Sequence, residues 1–275
     1  MFYLIGSEGF LGKKIKSLLK KSKIVNISSK KIKNTIYFNF RKKNSSDLKN
    51  CLNNINEQDV VIFLSNIGSI DYHEKNYKKL IEFENSVYKN VFLNIYKKAK
   101  IVFFSSDMVY SGKNSYYKDN SKSIPINNYG KSKLRLEKII KKRFKNSIII
   151  RFSKIYSTSD RDKTIYSEII GLAKLNKKNK FFTDQFVHYL DLRDFINGFK
   201  MILLNLKKLK GTYNFPGKTF TSRYKFAKSI LIKHKLSLKN IESINMKEKR
   251  KYLPKKLKMK TDLFKIIKYF PKHKL

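Results

Sequence analysis

Phe2-Tyr3-Leu4-Ile5-Gly6-Ser7-Glu8-Gly9-Phe10-Leu11-Gly12 opens the chain with four apolar residues and a glycine-spaced turn. An amphipathic run follows in which Phe10, Leu11, Ile15, Leu18 and Leu19 recur at helical spacing. A strand running through such a turn into a helix has physical uses for glycine: a tight turn, close approach of backbone to a pyrophosphate, and near contact between strand and helix. The helix start also offers free N–H groups to phosphate. Gly6, Gly9, Phe10, Leu11 and Gly12 are therefore candidate dinucleotide contacts. An ordinary turn also gathers glycine, and it is the strand before and the helix after that separate the two readings.

Apolar strands alternate with helical stretches through the first half. Strands are expected at Phe2 to Ile5, Lys23 to Ile27, Ile36 to Phe40, Val60 to Leu64, Ile101 to Phe104 and Ile148 to Arg151. Helices are expected near Lys13 to Lys20, Ser46 to Asn54, Lys75 to Lys98 and Asn128 to Phe144. This rhythm predicts an α/β fold, a Rossmann-like doubly wound parallel sheet whose short continuous apolar strands are covered on both faces. After Arg151 the pattern loosens, with helices near Thr164 to Leu175 and Leu192 to Leu206, short strands at Lys180 to Thr183 and Thr212 to Phe215, and a helix after Ser222. The expected division is a dinucleotide-binding domain over 1–153 and a smaller, mainly substrate-binding region over 154–275, some of whose segments return to the first domain.

A chain of 275 residues can bury a sizeable core without covalent staples. One cysteine, Cys51, excludes an internal disulfide and reads as a small packing residue on a helix. Four histidines without ligand spacing give no metal site. Met1 leads directly into the first strand and no apolar run reaches about 18 residues, so a cytoplasmic protein with no membrane insertion is expected. The net charge of +43 invites a polyanion partner. Its lysines are instead spread over nearly every element, with no nucleic-acid motif beside them, and the excess of Asn, Ile and Lys over Ala, Gly and Pro matches an AT-rich coding sequence.

Tyr129 and Lys133, in Tyr129-Gly130-Lys131-Ser132-Lys133, stand four residues apart, which on a helix places them on one face with Cβ atoms about 6 Å apart. A cation there favours the phenolate of a tyrosine whose ordinary pKa is about 10, easing proton exchange near neutrality. With 17 tyrosines and so many lysines the pair alone is weak, and its place in the strand–helix series gives it weight. Phe103-Phe104-Ser105-Ser106-Asp107-Met108 lies at the C-terminal end of an expected strand, the edge where open α/β sheets bind ligands. A serine hydroxyl at Ser106 can hydrogen-bond a substrate carbonyl; a helix cap or turn is the other use of a serine there.

These motifs resemble the extended short-chain dehydrogenase/reductase family, on the branch of dTDP-4-dehydrorhamnose reductase and related sugar-nucleotide reductases. The G-x-x-G-x-x-G spacing at Gly6, Gly9 and Gly12 is the variant seen in that family. Further correspondence runs through Asp59 to Ile62, Leu64-Ser65-Asn66, Asn85, Ser105-Ser106-Asp107, Pro125 to Glu137, Arg151 to Tyr156, Asp184-Gln185-Phe186, Gly211-Thr212-Tyr213 and Leu253-Pro254. The resemblance implies that Tyr129 donates the proton, Lys133 lowers its pKa and holds the nicotinamide ribose, and Ser106 binds the reacting oxygen. It adds Leu64, Ser65 and Asn66 to the cofactor site and places Asp107, Lys154 and Gln185 toward the sugar. The second strand ends in Ser28-Ser29-Lys30 without the acid that holds a ribose 2′-hydroxyl, so NADPH is expected in preference to NADH.

Departures from the family pattern sharpen the expectation. Sugar-nucleotide dehydratases carry an acid where this chain has Met108, which can neither give nor take a proton. Lys154 stands where the family's substrate-binding tryptophan is usual, and Val187-His188-Tyr189-Leu190 replaces its Gly-Ser/Ala-Pro-Thr segment. His188, alone in an apolar strand, reads as structural more readily than as a substrate contact. What the resemblance implies is NAD(P)H-dependent reduction of a keto group on a nucleotide-sugar substrate for surface polysaccharide or deoxysugar synthesis, in a protein that can form a homodimer. The alternatives are a sugar-nucleotide 4-epimerase and a non-catalytic dinucleotide-binding regulator.

Overall fold

The computed structural model of the chain describes residues 1–38, 46–66, 68–159, 161–246 and 251–275. In chain order the strands and helices are β1 (Phe2–Ile5), α1 (Phe10–Leu18), β2 (Ile24–Ser28), β3 (Ile36–Tyr37), α2 (Ser46–Asn53), β4 (Val60–Phe63), α3 (Ile70–Lys75), α4 (Tyr77–Asn90), β5 (Lys100–Ser106), α5 (Asn128–Arg143), β6 (Ile148–Phe152) and β7 (Lys154–Tyr156). They continue with α6 (Ile165–Lys174), β8 (Asn179–Phe182), β9 (Phe186–Asp191), α7 (Leu192–Leu204), β10 (Gly211–Phe215), β11 (Thr219–Ser222), α8 (Arg223–Lys233), β12 (Ile241–Ile244), β13 (Lys256–Leu257) and α9 (Leu263–Ile266).

A seven-stranded sheet in the order β10-β6-β5-β4-β1-β2-β3 forms the centre of the fold. Strands β2, β4 and β5 run parallel to their neighbours, with Ile5 opposite both Ile27 and Phe63, and Phe63 opposite Phe103. The order runs outward from β1 in both directions, so the crevice between β1 and β4 is a topological switch point. β4 is buried along its whole length, as its Val-Val-Ile-Phe sequence requires when helices cover both faces. Phe63 makes tilted contacts with Phe92 and Phe103, and Leu48, Leu80, Phe83, Leu136 and Ile140 bring the helices onto the same core. Cys51 packs half-buried against this core, and burial pushes its thiol up to about 11.

Of the expected long helix over Lys75 to Lys98, α4 covers Tyr77–Asn90, and Lys75 closes the separate helix α3. Asn76, at φ −128° and ψ 49°, separates α3 from α4, and after Asn90 the chain tightens into a 3-10 turn at Phe92–Asn94. Val91, Phe92 and Ile95 carry the apolar period past Asn90, which is why the sequence reads the helix as longer than it is. Of the expected strand at Ile36 to Phe40, β3 covers Ile36–Tyr37, and residues 39 and 40 lie outside the described residues.

The chain divides into two units. The first contains 1–106, 127–150 and 208–212; the second contains 107–126, 151–207 and 213–275. In the second, β9 pairs with β7, β11 and β13, while β8 pairs with β12. Arg151, almost wholly buried, donates to the Tyr110 hydroxyl at 2.8 Å, which lies 2.7 Å from Asn214 Oδ1. The carboxylate of Asp194 on α7 accepts from Tyr269 Oη, from the backbone N–H groups of Lys272 and His273, and from His273 Nδ1. These donors hold its pKa below the ordinary carboxylate value despite burial, and they fasten the end of the chain to α7.

Glycine at position 12 is set by close approach. A Cβ there would lie 2.2 Å from Gly6 O and 2.6 Å from Ser7 O, both backbone atoms. A Cβ added at Gly171 in α6 would instead meet nothing within 4 Å. Gly12→Ala is therefore expected to destabilise the fold by about 1–3 kcal/mol, and Gly171→Ala to stabilise it by roughly 0.5–1 kcal/mol. Urea unfolding of the two variants beside the parent protein checks the opposite signs.

Candidate active site

The turn after β1 is built by backbone. Gly6 takes φ +96°, and its missing Cβ would press on Ser65 N and Oγ at 3.1 Å and on Leu64 Cβ at 3.3 Å. Gly6, Leu64 and Ser65 therefore meet at the ends of β1 and β4, where the Leu64 N–H donates to Ile5 O. The N–H groups of Gly6 and Ser7 both donate to Ile27 O, which draws the end of β2 to the same place. Gly9 caps α1 without a side-chain bond, so the first-turn N–H groups, those of Phe10, Leu11 and Gly12, have no intrahelical acceptor. Glu8 in the turn is buried and neutralised by Lys16 at 2.5 Å, which leaves the helix N-terminus free of an unbalanced negative charge.

Beside this turn, Ser28 ends β2 as a buried residue whose Oγ accepts from Lys30 N at 3.1 Å. Ser29 and Lys30 are exposed, and the Asn66 amide donates to Gly68 O at 3.2 Å. The cradle of backbone donors and the close-packed glycines fit the pyrophosphate of a dinucleotide, the group for which an added Cβ would take the space.

The expected Tyr129, Lys133 and Ser106 lie on α5 and β5 of the same unit. Asn127 caps α5, accepting from Gly130 N at 2.7 Å, and Tyr129 follows in the first helical turn. One turn on, Lys133 is 4% exposed and donates Nζ to Phe104 O at 3.1 Å. Its ammonium lies 5.8 Å from the Tyr129 ring centroid and 5.2 Å from that of Phe103. Burial pushes the Lys133 pKa down to about 8, opposed by the Glu137 carboxylate four residues on. Glu137 also accepts from Ser105 Oγ at 2.5 Å, a second tie between α5 and the end of β5. Ser106, the last residue of β5, is 9% exposed and directly precedes the buried Asp107 and Met108.

The expected substrate residues Asp107, Lys154 and Gln185 belong to the second unit. Lys154 keeps solvent access on β7, yet its ammonium is crowded enough by protein to lower its pKa. Repulsion from Arg223 adds to that lowering, while Asp107 and Glu168 act against it. Gln185 is fully buried and committed: Nε2 donates to Pro254 O at 3.2 Å and Oε1 accepts from Arg223 Nε. His188 is tied to Gly217 O through Nδ1 at 2.8 Å and packs on Phe220, and burial lowers its pKa to about 4. It is a neutral, structural imidazole at ordinary pH, which requires the Nδ1–H tautomer for that bond.

Three neighbours of the pair were not evident as site residues from sequence. Glu137 has a signal, since it continues the Tyr129–Lys133 face by another four residues, and Asn127 has one as a capping residue before a helix. His73, fully buried on α3 with its ring 5.1 Å from that of Tyr129, has none. Its neighbour Glu74 accepts from Asn128 N at 2.5 Å.

A model of the family described as the RmlD substrate binding domain matches residues 1–269. No curated protein matches the chain. Among solved structures, dTDP-4-dehydrorhamnose reductase from Bacillus anthracis str. Ames in complex with NADP is similar at 20% identity and a TM-score of 0.77, over 98% of this chain and 93% of that chain. The dTDP-4-dehydrorhamnose reductase ortholog from Clostridium acetobutylicum is similar at 20% identity and 0.74, over 97% and 92%. MoeE5 in complex with UDP-glucuronic acid and NAD is similar at 14% identity and 0.78, over 99% and 94%. At these identities the likeness is one of fold.

The depressed Lys133 pKa carries a stability signature. Between about pH 8 and the ordinary 10.5 the unfolded chain holds this proton and the folded chain does not. The Lys133 contribution to unfolding free energy therefore rises with pH across that window, by at most about 1.4 kcal/mol per pH unit. Urea unfolding at several pH values, with Lys133→Met as reference, should show this rise in the parent protein and not in the variant.

Proposed function

The chain belongs to the RmlD substrate-binding-domain family, within the extended short-chain dehydrogenase/reductases, and from that premise we propose that it reduces a keto group on a nucleotide-activated sugar with NADPH. The observation that carries the reading is the Lys133 ammonium, fixed on Phe104 O and set against the Tyr129 ring, with Ser106 two residues beyond that carbonyl at the end of β5. A buried cation beside a phenol favours loss of its proton, which is what a proton donor to a developing alkoxide requires. Tyr129 gives its proton to the substrate oxygen, Ser106 donates a hydrogen bond to the same oxygen, and Lys133 holds the charge balance of the phenol. A bound nicotinamide supplies the hydride.

The glycine turn and the α1 N-terminus would hold the cofactor's pyrophosphate, with Leu64, Ser65 and Asn66 beside it. Ser28, Ser29 and Lys30 would meet the adenosine ribose. Exposed hydroxyl and ammonium groups without a carboxylate at that strand end support a 2′-phosphate and hence NADPH over NADH. Reduction is favoured over dehydration because buried Met108, next to Asp107, has no acid or base to offer. Asp107 and Lys154 are proposed as sugar-nucleotide contacts on the family resemblance.

The test is loss of nicotinamide absorbance when purified protein is given NADPH and dTDP-4-dehydrorhamnose. Tyr129→Phe is expected to lower kcat by about 10²-fold or more while NADPH still binds. Lys30→Glu is expected to shift preference toward NADH. Turnover that survives Tyr129→Phe contradicts the assignment, and interconversion of sugar epimers without net NADPH consumption replaces it with a 4-epimerase.

A further inference from the structure

The Tyr129 phenol oxygen lies on the axis about which its ring turns, so its place depends on the swing of the whole side chain about Cα–Cβ, which packing has to hold. On one side of the ring stands the Lys133 ammonium at 5.8 Å from the centroid. On another stands His73, 0% exposed, with its ring 5.1 Å away and tilted by 55°. Tyr72 backs the imidazole edge-on at 6.2 Å. The helical turn carrying Tyr129 is fixed from the same source. Asn128, the first residue of α5, has an N–H with no intrahelical acceptor, and Glu74 Oε1 takes it at 2.5 Å. A carboxylate at a helix N-terminus is also favoured by the helix dipole. Consecutive residues of α3 thus meet the ring of the tyrosine and the backbone N–H of the residue before it.

We infer that His73 and Glu74 are positioning residues for Tyr129, His73 as the wall that sets the phenol and Glu74 as the anchor of the turn beneath it. The inference rests on the reductase reading for its kinetic consequence and on the geometry of α3 and α5 for its structural one. Misplacing a reacting group by about 1 Å can cost on the order of 10²-fold in rate. An effect of positioning falls on kcat and leaves cofactor binding in place.

The experiment combines kinetics and crystallography on the full chain. With dTDP-4-dehydrorhamnose and NADPH, His73→Ala is expected to lower kcat by about 10- to 100-fold with KM and NADPH affinity nearly unchanged. His73→Phe, which restores a ring, is expected to recover most of the loss. Glu74→Gln keeps an acceptor for Asn128 N and should stay close to the parent protein, whereas Glu74→Ala should not. Crystal structures are expected to show the Tyr129 side chain swung out of place in His73→Ala and in place in His73→Phe. Unchanged kcat in His73→Ala and Glu74→Ala overturns the inference, as does a His73→Phe variant that folds but is as slow as His73→Ala. If His73→Ala does not fold, the Glu74 pair decides by the same criteria. If the parent protein reduces none of this substrate, the functional reading fails separately, and a Tyr129 ring unmoved in the His73→Ala crystal overturns the positioning claim.

Discussion

A buried ammonium on a backbone carbonyl is the contact around which the candidate site is arranged. Lys133 gives up hydration to donate to Phe104 O, and that bond joins helix α5 to the end of β5. Taking an ammonium out of water is costly unless its donors are used, and the lowered pKa is the measure of that cost. The Ser105–Glu137 bond repeats the tie one turn further along α5. With the helix so fixed, Tyr129 and the end of β5 cannot slide past each other without breaking buried polar bonds, and Ser106 takes its place from the same strand end.

The other half of the site depends on the absence of side chains. Gly12 lets α1 approach the turn until only hydrogen fits, and Gly6 reaches a backbone conformation that also brings it against Ser65 and Leu64. The first-turn N–H groups of α1 stand over the crevice where the strand order reverses. Backbone donors of this kind need no particular side chains around them, which explains how the cradle survives in a chain whose surface is dominated by lysine.

The parallel sheet was legible because β1, β4, β5 and β6 are short apolar runs bounded by turns, and buried strands in such a sheet need little else. The glycine turn and the Tyr129–Lys133 pair were legible from spacing. The end of α4 at Asn90 was not, because Val91, Phe92 and Ile95 continue the apolar period of that helix. His73 was also hidden: its contact with Tyr129 joins residues 56 positions apart, and nothing in its local sequence distinguishes a ring wall from a surface histidine. Gln185 carried the resemblance for substrate contact, while the structure gives its amide to Arg223 and Pro254, partners that only folding brings to it.

The proposed reaction delivers a hydride to a sugar carbonyl with a proton from Tyr129. Its most direct test is transfer of label from NADPH deuterated at the transferable position of the nicotinamide to dTDP-4-dehydrorhamnose, read by mass spectrometry of the sugar. One deuterium is expected in the product for each cofactor oxidised, with labelled product formed about 10²-fold or more slowly by Tyr129→Phe. Product without label, or labelled product formed equally fast by the variant, contradicts it.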